Sequence, residues 1–364
     1  MIPASAQARL TDNYIASSQA ATAINPGKPA QPGRAAWQRE LSAANITVAE
    51  LLGQLNIPLE RHQQLLANSC DVANFPLRVT ASFIGRMQRG NIDDPLLRQV
   101  LPRAEELQQA PGFSADPLAE RSYNTAPGLI QKYASRALLI VTQACAIHCR
   151  YCFRKSFPYE ANRPGRNDWQ RALQEIQSDS SIKEVILSGG DPLSLGDQHL
   201  ESLITRIASI GHVDCLRIHT RLPIVLPSRV NHELLKTLQC WPRKLVVVVH
   251  SNHAAELDCE VANALVALAS TGATLLNQAV MLRDVNNHST TQITLCRTLF
   301  EHGVLPYYLH QLDKVSGTSH FEVSDAQALH IHAAMRSELP GYLLPRLVRE
   351  IPGEASKVPL TSLI

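Results

Sequence analysis

The sequence predicts an α/β protein, a partial, TIM-like (β/α)6 barrel with an N-terminal helical region. Six short apolar runs, each typical of a buried strand, recur about every 30 residues with amphipathic helical stretches between them. Polar residues follow the ends of these runs, where ligands gather in barrels of parallel strands. The chain has 364 residues, of which 45% are hydrophobic. This is ample for one barrel-sized domain with an appendage.

The region before the barrel divides into a tail and a helical part. Residues 1–34 are rich in Ala, Ser, Pro and Gly without periodicity, which predicts a flexible tail. We assign residues 35–120 to the N-terminal helical region. Within it, TVAE at 47–50 has the spacing of a capping box. A further helix is expected over 95–107, interrupted at Pro102.

The barrel is assigned to residues 121–340, followed by a C-terminal segment, 341–364, that adds a short strand and a loop. The predicted strands are ALLIVTQ (137–143), EVILSGG (184–190), CLRIHT (215–220), KLVVVVH (244–250), ATLLNQAV (273–280) and LPYYLHQL (305–312). Because parallel strands end at the same face, polar residues after them predict one shared site.

Composition argues against several classes of protein. The net charge of +2 gives no reason to expect nucleic acid or an anionic membrane surface as a partner. No apolar run approaches the roughly 20 residues that span a membrane. The N-terminus lacks the basic-then-apolar pattern of a signal peptide. Eight cysteines without such a signal predict a reducing, cytoplasmic location.

The most informative motif is the run of Cys145, Cys149 and Cys152, spaced C-x3-C-x2-C. Thiolates favour iron–sulfur clusters or zinc. A 4Fe-4S cluster is normally held by four thiolates, so three would leave one iron open to another ligand. Spacing alone also allows a zinc site that includes His148. Structural zinc sites usually have two separated pairs of ligands, and no second pair is present.

The remaining cysteines are scattered singly and are most simply buried apolar residues. They are Cys70, Cys215, Cys240, Cys259 and Cys296. A disulfide framework is not expected in a chain of this size without a secretory signal.

The C-x3-C-x2-C run resembles the signature of the radical S-adenosylmethionine (SAM) enzymes. That resemblance implies a 4Fe-4S cluster, SAM bound at its open iron, and an external electron donor. SGGDPL (188–193) follows the second strand and resembles the segment that grips the amino group of SAM in that family. It implicates Ser188, Gly189, Gly190 and Asp191. Taken alone, this run is more typical of a turn.

Several segments, taken in order, are similar to lysine 2,3-aminomutase from about residue 90 to residue 360. They are CRYCFRK, SGGDPL, RIHTRLPIVLPSR, LLNQAVMLRDVNN, PYYLHQLDKVSGTSHF and PGEASK. The resemblance implies conversion of L-lysine to (R)-β-lysine with pyridoxal 5′-phosphate (PLP) as an additional cofactor. The pairing of cofactors is reasonable, since general bases cannot remove an unactivated Cβ hydrogen and a radical can.

The resemblance also implies the PLP residues. Lys357, at the end of PGEASK, matches the lysine that attaches PLP and closes a PGGGGK loop in the family. Lys132 and Arg136 match phosphate-binding arginines, and Tyr133 lies beside the cofactor. Lysine at position 132 keeps the charge but loses the guanidinium fork. The three lost glycines predict a stiffer loop.

Substrate recognition is implied in the same way. Arg154 corresponds to the arginine that binds the substrate carboxylate, which suits a guanidinium. Asp313 and Glu350 correspond to two acids that bind the distal amine of lysine, with Glu350 replacing an aspartate. His250 and Gln278 are expected to line the SAM and PLP sites.

Two alternatives remain open from the sequence. One is an aminomutase for another amino acid, such as glutamate, although Asp313 and Glu350 would repel an anionic side chain. The other is a non-catalytic zinc or cluster-binding module. His288 and His310 stand where the catabolic enzymes carry cysteine and tyrosine. The short end, the YYLHQLDKV stretch and PGEASK resemble the branch whose β-lysine is attached to elongation factor P by a lysine ligase.

Overall fold

A computed structural model describes residues 35–58, 60, 75–156 and 169–361. The predicted tail, 1–34, and Cys70 lie outside the described residues. The described residues from Ala36 onward belong to one compact unit. No helix in them is both long and apolar enough to cross a membrane.

Ten strands form one sheet in chain order. They are Asn124–Ala126 (β1), Leu129–Tyr133 (β2), Arg136–Thr142 (β3), Glu184–Gly189 (β4), Cys215–Thr220 (β5), Lys244–Val249 (β6), Thr274–Val280 (β7), Leu305–His310 (β8), Arg346–Arg349 (β9) and Val358–Pro359 (β10). Neighbouring strands from β3 to β9 are parallel. The β1–β2–β3 pairs and the β9–β10 pair are antiparallel. With β1 and β10 at its two edges, the sheet is open.

Helices connect the parallel strands. The α-helices in the described residues are Ala36–Ala43 (α1), Val48–Gln54 (α2), Ala81–Ile84 (α3), Pro95–Arg98 (α4), Gln170–Ser178 (α5), Asp197–Ala208 (α6), Leu222–Val225 (α7), His232–Gln239 (α8), Cys259–Ala269 (α9), Ser289–Glu301 (α10) and Asp325–Glu338 (α11). Short 3₁₀ turns occur at Ala104–Leu107, Glu120–Tyr123, Pro192–Ser194, Pro227–Arg229, Ala254–Glu256, Ser319–Phe321 and Gly341–Leu343.

The predicted (β/α)6 arrangement is confirmed. The six predicted strands are β3 to β8, and helices α5, α6, α8, α9, α10 and α11 follow them to complete six βα units. The strand predicted in the tail is β9. The hairpin β1–β2 was not predicted, because its strands are too short to show periodicity. Its turn is marked only by Pro127 and by Gly128 at φ +78°.

The local expectations for the helical region also hold. Glu50 donates its backbone N–H to Thr47 Oγ1 at 3.1 Å, and Thr47 donates its own N–H to the Glu50 carboxylate at 2.6 Å. This is the expected capping box. The helix expected over 95–107 is broken, since α4 ends at Arg98 and a 3₁₀ turn resumes at Ala104.

A buried arginine joins the helical region to the barrel. Arg229 is 0% exposed, and its guanidinium lies 4.3 Å from the ring centroid of Trp37 on α1. It donates from Nε to the backbone oxygen of Leu193 at 2.7 Å and pairs with Asp197 at 2.7 Å. The helical region and the loop after β4 are therefore fixed to each other through one charged side chain.

The expectation that the single cysteines are buried was partly wrong. Cys296 is buried in α10, and Cys215 is partly buried, but Cys240 and Cys259 are exposed. Both exposed residues lie at helix ends, Cys240 after the last turn of α8 and Cys259 in the first turn of α9. Helix ends commonly face solvent, so the apolar character of the thiol did not decide their positions.

Candidate active site

The three motif cysteines lie in the loop after β3, and the N-terminal helical region holds that loop. Arg78 donates from Nε to the backbone oxygen of Cys145 at 2.6 Å. The backbone N–H groups of His148 and Arg150 donate to the oxygens of Arg78 and Gln99. These contacts fix the loop at the C-terminal edge of the sheet.

The imidazole of His148 contacts the segment at the start of the described residues 75–156. Its Nδ1 lies 2.8 Å from the backbone oxygen of Pro76, and its ring stacks on Phe75 with centroids 4.6 Å apart. Across the described ranges, no three His, Cys, Asp or Glu side chains converge closely enough to hold a single metal ion. A 4Fe-4S cluster distributes its thiolate ligands over several irons and does not require them to converge on one point, as a zinc ion does.

Electrostatics supports a cationic occupant of the cysteine loop. Burial and the neighbouring thiols raise the pKa of Cys145 well above its usual value, and they raise the pKa of Cys152 to about 12. Metal ligands must be thiolates, so these thiols would ionise only beside a cationic metal group. The donor set therefore fits a 4Fe-4S cluster.

A buried hydrogen-bonded group, the cysteine-side network, surrounds the middle cysteine. Its members are Gln99, Cys149, Tyr151, Arg221, Asn252 and Glu256. The Nη1 atom of Arg221 donates to Cys149 Sγ at 2.7 Å and to the Tyr151 hydroxyl at 2.6 Å. Its Nη2 atom donates to Gln99 at 2.6 Å and to Glu256 at 3.0 Å.

Asn252 closes the network by donating from Nδ2 to Tyr151 at 2.7 Å and to Gln99 at 3.0 Å. Arg221, Asn252 and Glu256 are buried. Tyr151, Gln99 and Glu256 fix the two Nη atoms of Arg221, although its Nε has no partner among the described residues. The fixed guanidinium in turn holds the Cys149 side chain in one orientation.

The two glycines at the end of β4, Gly189 and Gly190, are required by the chain's own backbone. Gly189 has φ +118°, a region that favours glycine. A Cβ atom at Gly189 would lie 2.6 Å from the oxygen of Thr142, and one at Gly190 would lie 2.5 Å from the oxygen of Ala144. The strand end thus packs directly against the start of the cysteine loop.

Asp191 ties neighbouring strand ends together. Its buried carboxylate accepts hydrogen bonds from Thr220 Oγ1 at 2.7 Å and from the N–H groups of Arg221 and Leu222 at 2.6 and 3.0 Å. These contacts give Asp191 a role within the fold. A SAM-binding role for Ser188, Gly189, Gly190 and Asp191 stays a prediction.

An ion-paired row, the charge chain, runs through the residues predicted for substrate and PLP. In order it consists of Arg154, Glu120, Lys132, Glu350 and Lys357. Arg154 donates from Nε and Nη2 to Glu120 at 2.8 and 2.9 Å. Lys132 Nζ lies 3.5 Å from Glu120 and 2.8 Å from Glu350. Lys357 donates to Glu350 at 2.6 Å. The row joins the predicted carboxylate-binding residue to the predicted point of PLP attachment.

Three carboxyl groups in this region differ in charge. Burial would raise the pKa of Glu120 and Glu350, but their cationic partners outweigh it, lowering the pKa of Glu350 to about 2. Desolvation and the nearby Glu350 instead raise the pKa of Asp313 to about 7. Glu120 and Glu350 are therefore ionised at neutral pH, whereas Asp313 is partly protonated.

Aromatic side chains border the charge chain. Burial and the negative charge of Glu350 raise the pKa of Tyr133 well above its usual value, so its hydroxyl is neutral. The Arg136 guanidinium lies 5.1 Å from the Tyr133 ring centroid, and Lys357 Nζ lies 5.8 Å from that of Tyr308. Such cation–π contacts hold long side chains in place at the wall of the site.

Neutral histidines form another part of the wall. Burial and nearby positive charges lower the pKa of His219, His250 and His310, that of His250 to about 3. Gln278 Nε2 donates to the neutral His250 ring at 2.8 Å. His219 Nε2 is buried and has no hydrogen-bond partner among the described residues. A buried orphan nitrogen beside Lys357 and Arg154 fits a site that receives a polar cofactor or substrate.

Comparison with known proteins identifies the family. The family model described as "4Fe-4S single cluster domain" matches residues 134–220. The L-lysine 2,3-aminomutase of Escherichia coli (strain K12) is 47% identical over 329 residues, covering 90% of this chain and 95% of the relative. The L-lysine 2,3-aminomutase of Haemophilus influenzae is 42% identical over 334 residues, covering 92% and 98%. The chain belongs to the L-lysine 2,3-aminomutase family.

Solved structures overlap over a smaller part of the chain. Native anSMEcpe with bound AdoMet and Kp18Cys peptide has a TM-score of 0.43 at 12% identity, covering 55% of this chain and 58% of that chain. A radical SAM methyltransferase from Sphaerobacter thermophilus has a TM-score of 0.39 at 16% identity, covering 61% and 68%.

The site of this L-lysine 2,3-aminomutase family member brings together the residues predicted from the sequence. Lys132, Arg154, Glu350 and Lys357 are members of the charge chain, and the charges of Glu350 and Lys357 act on Asp313. Among the other predicted residues, Ser188 accepts a hydrogen bond from Arg154, and four belong to the walls: Tyr133, Arg136, His250 and Gln278. Asp191 instead contacts Thr220 and the backbone of Arg221. Lys132 lies between two carboxylates, so a phosphate bound there would share the ammonium with two other anions.

Sequence reasoning missed Glu120 and the roles of Arg221 and Glu256. Glu120 is 4% exposed, yet it lies in DPLAERSY, a stretch without periodicity or a motif. Nothing in the pattern distinguishes it from a surface acid. Arg221 directly follows the strand β5, but its contact with Cys149 depends on how four segments meet in three dimensions.

Proposed function

We propose that this chain is an L-lysine 2,3-aminomutase, an isomerase that moves the amino group of L-lysine from Cα to Cβ and yields (R)-β-lysine. The observation that carries the proposal is the charge chain. It places Lys357, the proposed point of PLP attachment, and Arg154, the proposed carboxylate partner, at the two ends of one ion-paired row. Relatives named L-lysine 2,3-aminomutase at 47% and 42% identity support it.

The proposed cofactors are a 4Fe-4S cluster on Cys145, Cys149 and Cys152, SAM beside it, and PLP on Lys357. Once bound, they supply a carbon radical that can take the unactivated Cβ hydrogen and a π-system through which the amino group moves. The protein's own contribution is position and electrostatics. The proposal includes an external electron donor.

At one end of the row, Arg154 is the proposed partner of the lysine α-carboxylate. Glu120 fixes the guanidinium plane through two hydrogen bonds, and Arg154 Nη1 donates to Ser188 Oγ at 2.9 Å. A guanidinium held in this way offers a carboxylate a fixed orientation. Before substrate arrives, Glu120 keeps the buried charge of Arg154 paired, which avoids the large cost of an isolated buried ion.

At the other end, Glu350 and Asp313 are the proposed partners of the distal ammonium. Glu350 is ionised and shared between Lys132 and Lys357. When PLP is attached to Lys357, this residue no longer offers an ammonium to Glu350. The Glu350 carboxylate is then available to a substrate cation. An ammonium beside Asp313 also favours its ionised form, so lysine binding expels a proton from Asp313 near neutral pH.

A glutamate-specific enzyme fits this arrangement less well. The side-chain carboxylate of glutamate would meet Glu350 and Asp313, and like charges in a poorly solvated site repel strongly. Lys132, a nearby cation, is already paired with Glu120 and Glu350. Delivery of β-lysine to elongation factor P and its lysine ligase stays a prediction from the resemblance of the C-terminal segment.

The test is anaerobic incubation of the reconstituted protein with L-lysine, SAM, PLP and a reductant, with products resolved by chiral chromatography. We expect (R)-β-lysine from L-lysine and no β-glutamate from L-glutamate. In Lys357→Ala, borohydride reduction should leave no PLP adduct on the chain, while iron content is retained. The control Lys236→Ala, exposed on α8, should keep both adduct and product. An adduct mapped to another lysine would contradict the assignment of Lys357, and β-glutamate as the product would contradict the substrate.

A further inference from the structure

A cavity of about 380 Å³ lies outside the candidate active site, between the region after α4, the loop after β7 and the 3₁₀ turn Ser319–Phe321. Its walls include Arg98, Arg103, Arg283, Asp284, His320 and Phe321. None of the residues assigned above to the cluster, SAM, PLP or lysine is among its described lining residues. The volume is in the range of small-molecule sites.

Three of these side chains carry buried nitrogen atoms with no hydrogen-bond partner in the described part of the chain. They are Nε and Nη2 of Arg103, both ring nitrogens of His320, and Nε of Arg98. Buried polar groups in folded proteins are nearly always paired. These five nitrogens belong to three side chains that line one cavity, and small rotations of those side chains would let an occupant with hydrogen-bond acceptors pair with them.

The geometry of Arg103 indicates the chemistry of that occupant. Nε and Nη2 lie along one edge of the guanidinium, the pair of donors that binds two oxygens of a carboxylate or phosphate side by side. The nearby acids do not use this edge. Arg98 is paired with Asp93 at 2.5 Å and with Asp284 at 3.1 Å. Glu105 also lines the cavity but accepts no hydrogen bond from these two nitrogens of Arg103.

The electrostatic surroundings of His320 favour an anion. Burial and the positive charges of Arg103, Lys155, Arg150 and Arg283 lower its pKa to about 3. The ring is therefore neutral at physiological pH and offers one N–H donor and one acceptor. Of these cations, Arg103 and Arg283 line the cavity and attract negative charge toward it. Arg150 and Lys155 are paired with Glu106 instead.

We propose that this cavity binds a small oxyanion, the phosphate or carboxylate group of a small molecule, with Arg103 as its bidentate partner and His320 as a further N–H donor. The site is separate from the proposed reaction. Its floor is nonetheless close to the cysteine-side network, because Phe321 packs edge-to-face on Tyr151 with ring centroids 6.1 Å apart.

The test uses the full chain with saturating PLP and SAM, so that added anions do not report the cofactor sites. Isothermal titration and thermal unfolding are followed with inorganic phosphate and pyrophosphate in one arm and citrate in the other, at constant ionic strength in chloride. We expect saturable binding and a raised melting temperature in at least one arm, which tells phosphate from carboxylate.

Matched variants locate the binding. Arg103→Gln should weaken it about ten- to a hundredfold, because a hydrogen-bonded charged partner is lost. His320→Ala should weaken it less, and Arg336→Gln, exposed on α11, should leave it unchanged. Absence of binding in both arms, or equal affinity in the parent and Arg103→Gln, would overturn the proposal. Should Arg103→Gln fail to fold, unchanged affinity in both His320→Ala and Arg283→Gln would overturn it.

Discussion

The cysteine-side network and the charge chain both belong to the candidate active site, but their charged side chains are paired in different ways. The cysteine-side network has one cation, Arg221, whose guanidinium meets one carboxylate, two neutral oxygens and one sulfur. Its neutral members then bond to one another. Within this network, most of the side-chain hydrogen bonds join its own members.

The charge chain is open by comparison. It has three cationic groups and two ionised carboxylates, and Asp313 beside it is only partly ionised near neutral pH. Ion pairs depend less on direction than hydrogen bonds between neutral groups, so they can exchange partners. We infer from this contrast that side chains that must keep one geometry are held by directional hydrogen bonds. Side chains that receive a substrate are held by ion pairs, whose partners can be exchanged for the substrate.

The largest expected effect comes from the sulfur at the centre of the cysteine-side network. Cys149→Ser should abolish both bound iron and SAM cleavage, since a serine hydroxyl is a poor ligand for iron in a cluster. Iron analysis and 5′-deoxyadenosine formation measure it. Cys240→Ser, exposed after α8, serves as the control and should retain full iron. Normal iron content in Cys149→Ser would show that the cysteine-side network is not part of the cluster site.

The second-largest effect is expected at Glu256, the only carboxylate among the residues of the cysteine-side network. Glu256→Gln leaves the Arg221 charge buried without a counter-charge, which should lower the free energy of unfolding by about 3 kcal/mol. Urea unfolding followed by circular dichroism measures it. Glu301→Gln, exposed at the end of α10, should change little. An equal loss of unfolding free energy in the two variants would show that Glu256 contributes no more to stability than an exposed glutamate.

The charge chain should respond in substrate use rather than in folding. Asp313→Asn should lower kcat/KM for L-lysine by roughly tenfold or more and affect norleucine much less, because the lost interaction belongs to the ammonium. In the parent protein Asp313 has a pKa of about 7 and is protonated below it. Lysine use should therefore fall about tenfold per pH unit below pH 7, a limb that Asp313→Asn should lack. An unchanged pH profile in the variant would remove Asp313 from substrate recognition.

The smallest effect is expected where charge is kept and only length changes. Glu350→Asp should reduce kcat/KM for L-lysine by only a few-fold, because a carboxylate still faces Lys132 and the substrate. Glu350→Gln should be clearly worse, since it removes the charge that holds Lys132 and Lys357. Steady-state kinetics on the two variants decides it. If both behave alike, length rather than charge sets the fit at this end of the charge chain.

The difference between the two regions also marks what the sequence could predict. The strands β3 to β8 followed from apolar runs, because a buried parallel strand needs a continuous apolar stretch. Cys145, Cys149, Cys152 and Lys357 were recognised from short motifs that resemble those of a known family. The rule that ligands gather at the carboxyl ends of parallel strands predicted the place of the cysteines after β3, whereas Lys357 was recognised from the resemblance alone.

Glu120, Glu256 and the hairpin β1–β2 were not predicted. A buried acid is determined by partners far away in the chain, as Glu120 by Arg154 and Glu256 by Arg221, and no local pattern carries that information. The hairpin consists of strands too short for periodicity. Local sequence thus predicts elements and motifs, whereas charge pairing depends on the assembled fold.

The two glycines at the end of β4 have a consequence for how variants of this chain are interpreted. Alanine at position 189 or 190 would place a methyl group within 2.6 Å of backbone in the segment 142–144, which leads directly into Cys145. That segment would have to move, and the first thiol with it. Such a variant would lose its iron or SAM without having lost any atom that touches either. A mutational scan would then score both positions as ligand contacts, although the defect would be steric and transmitted through the main chain.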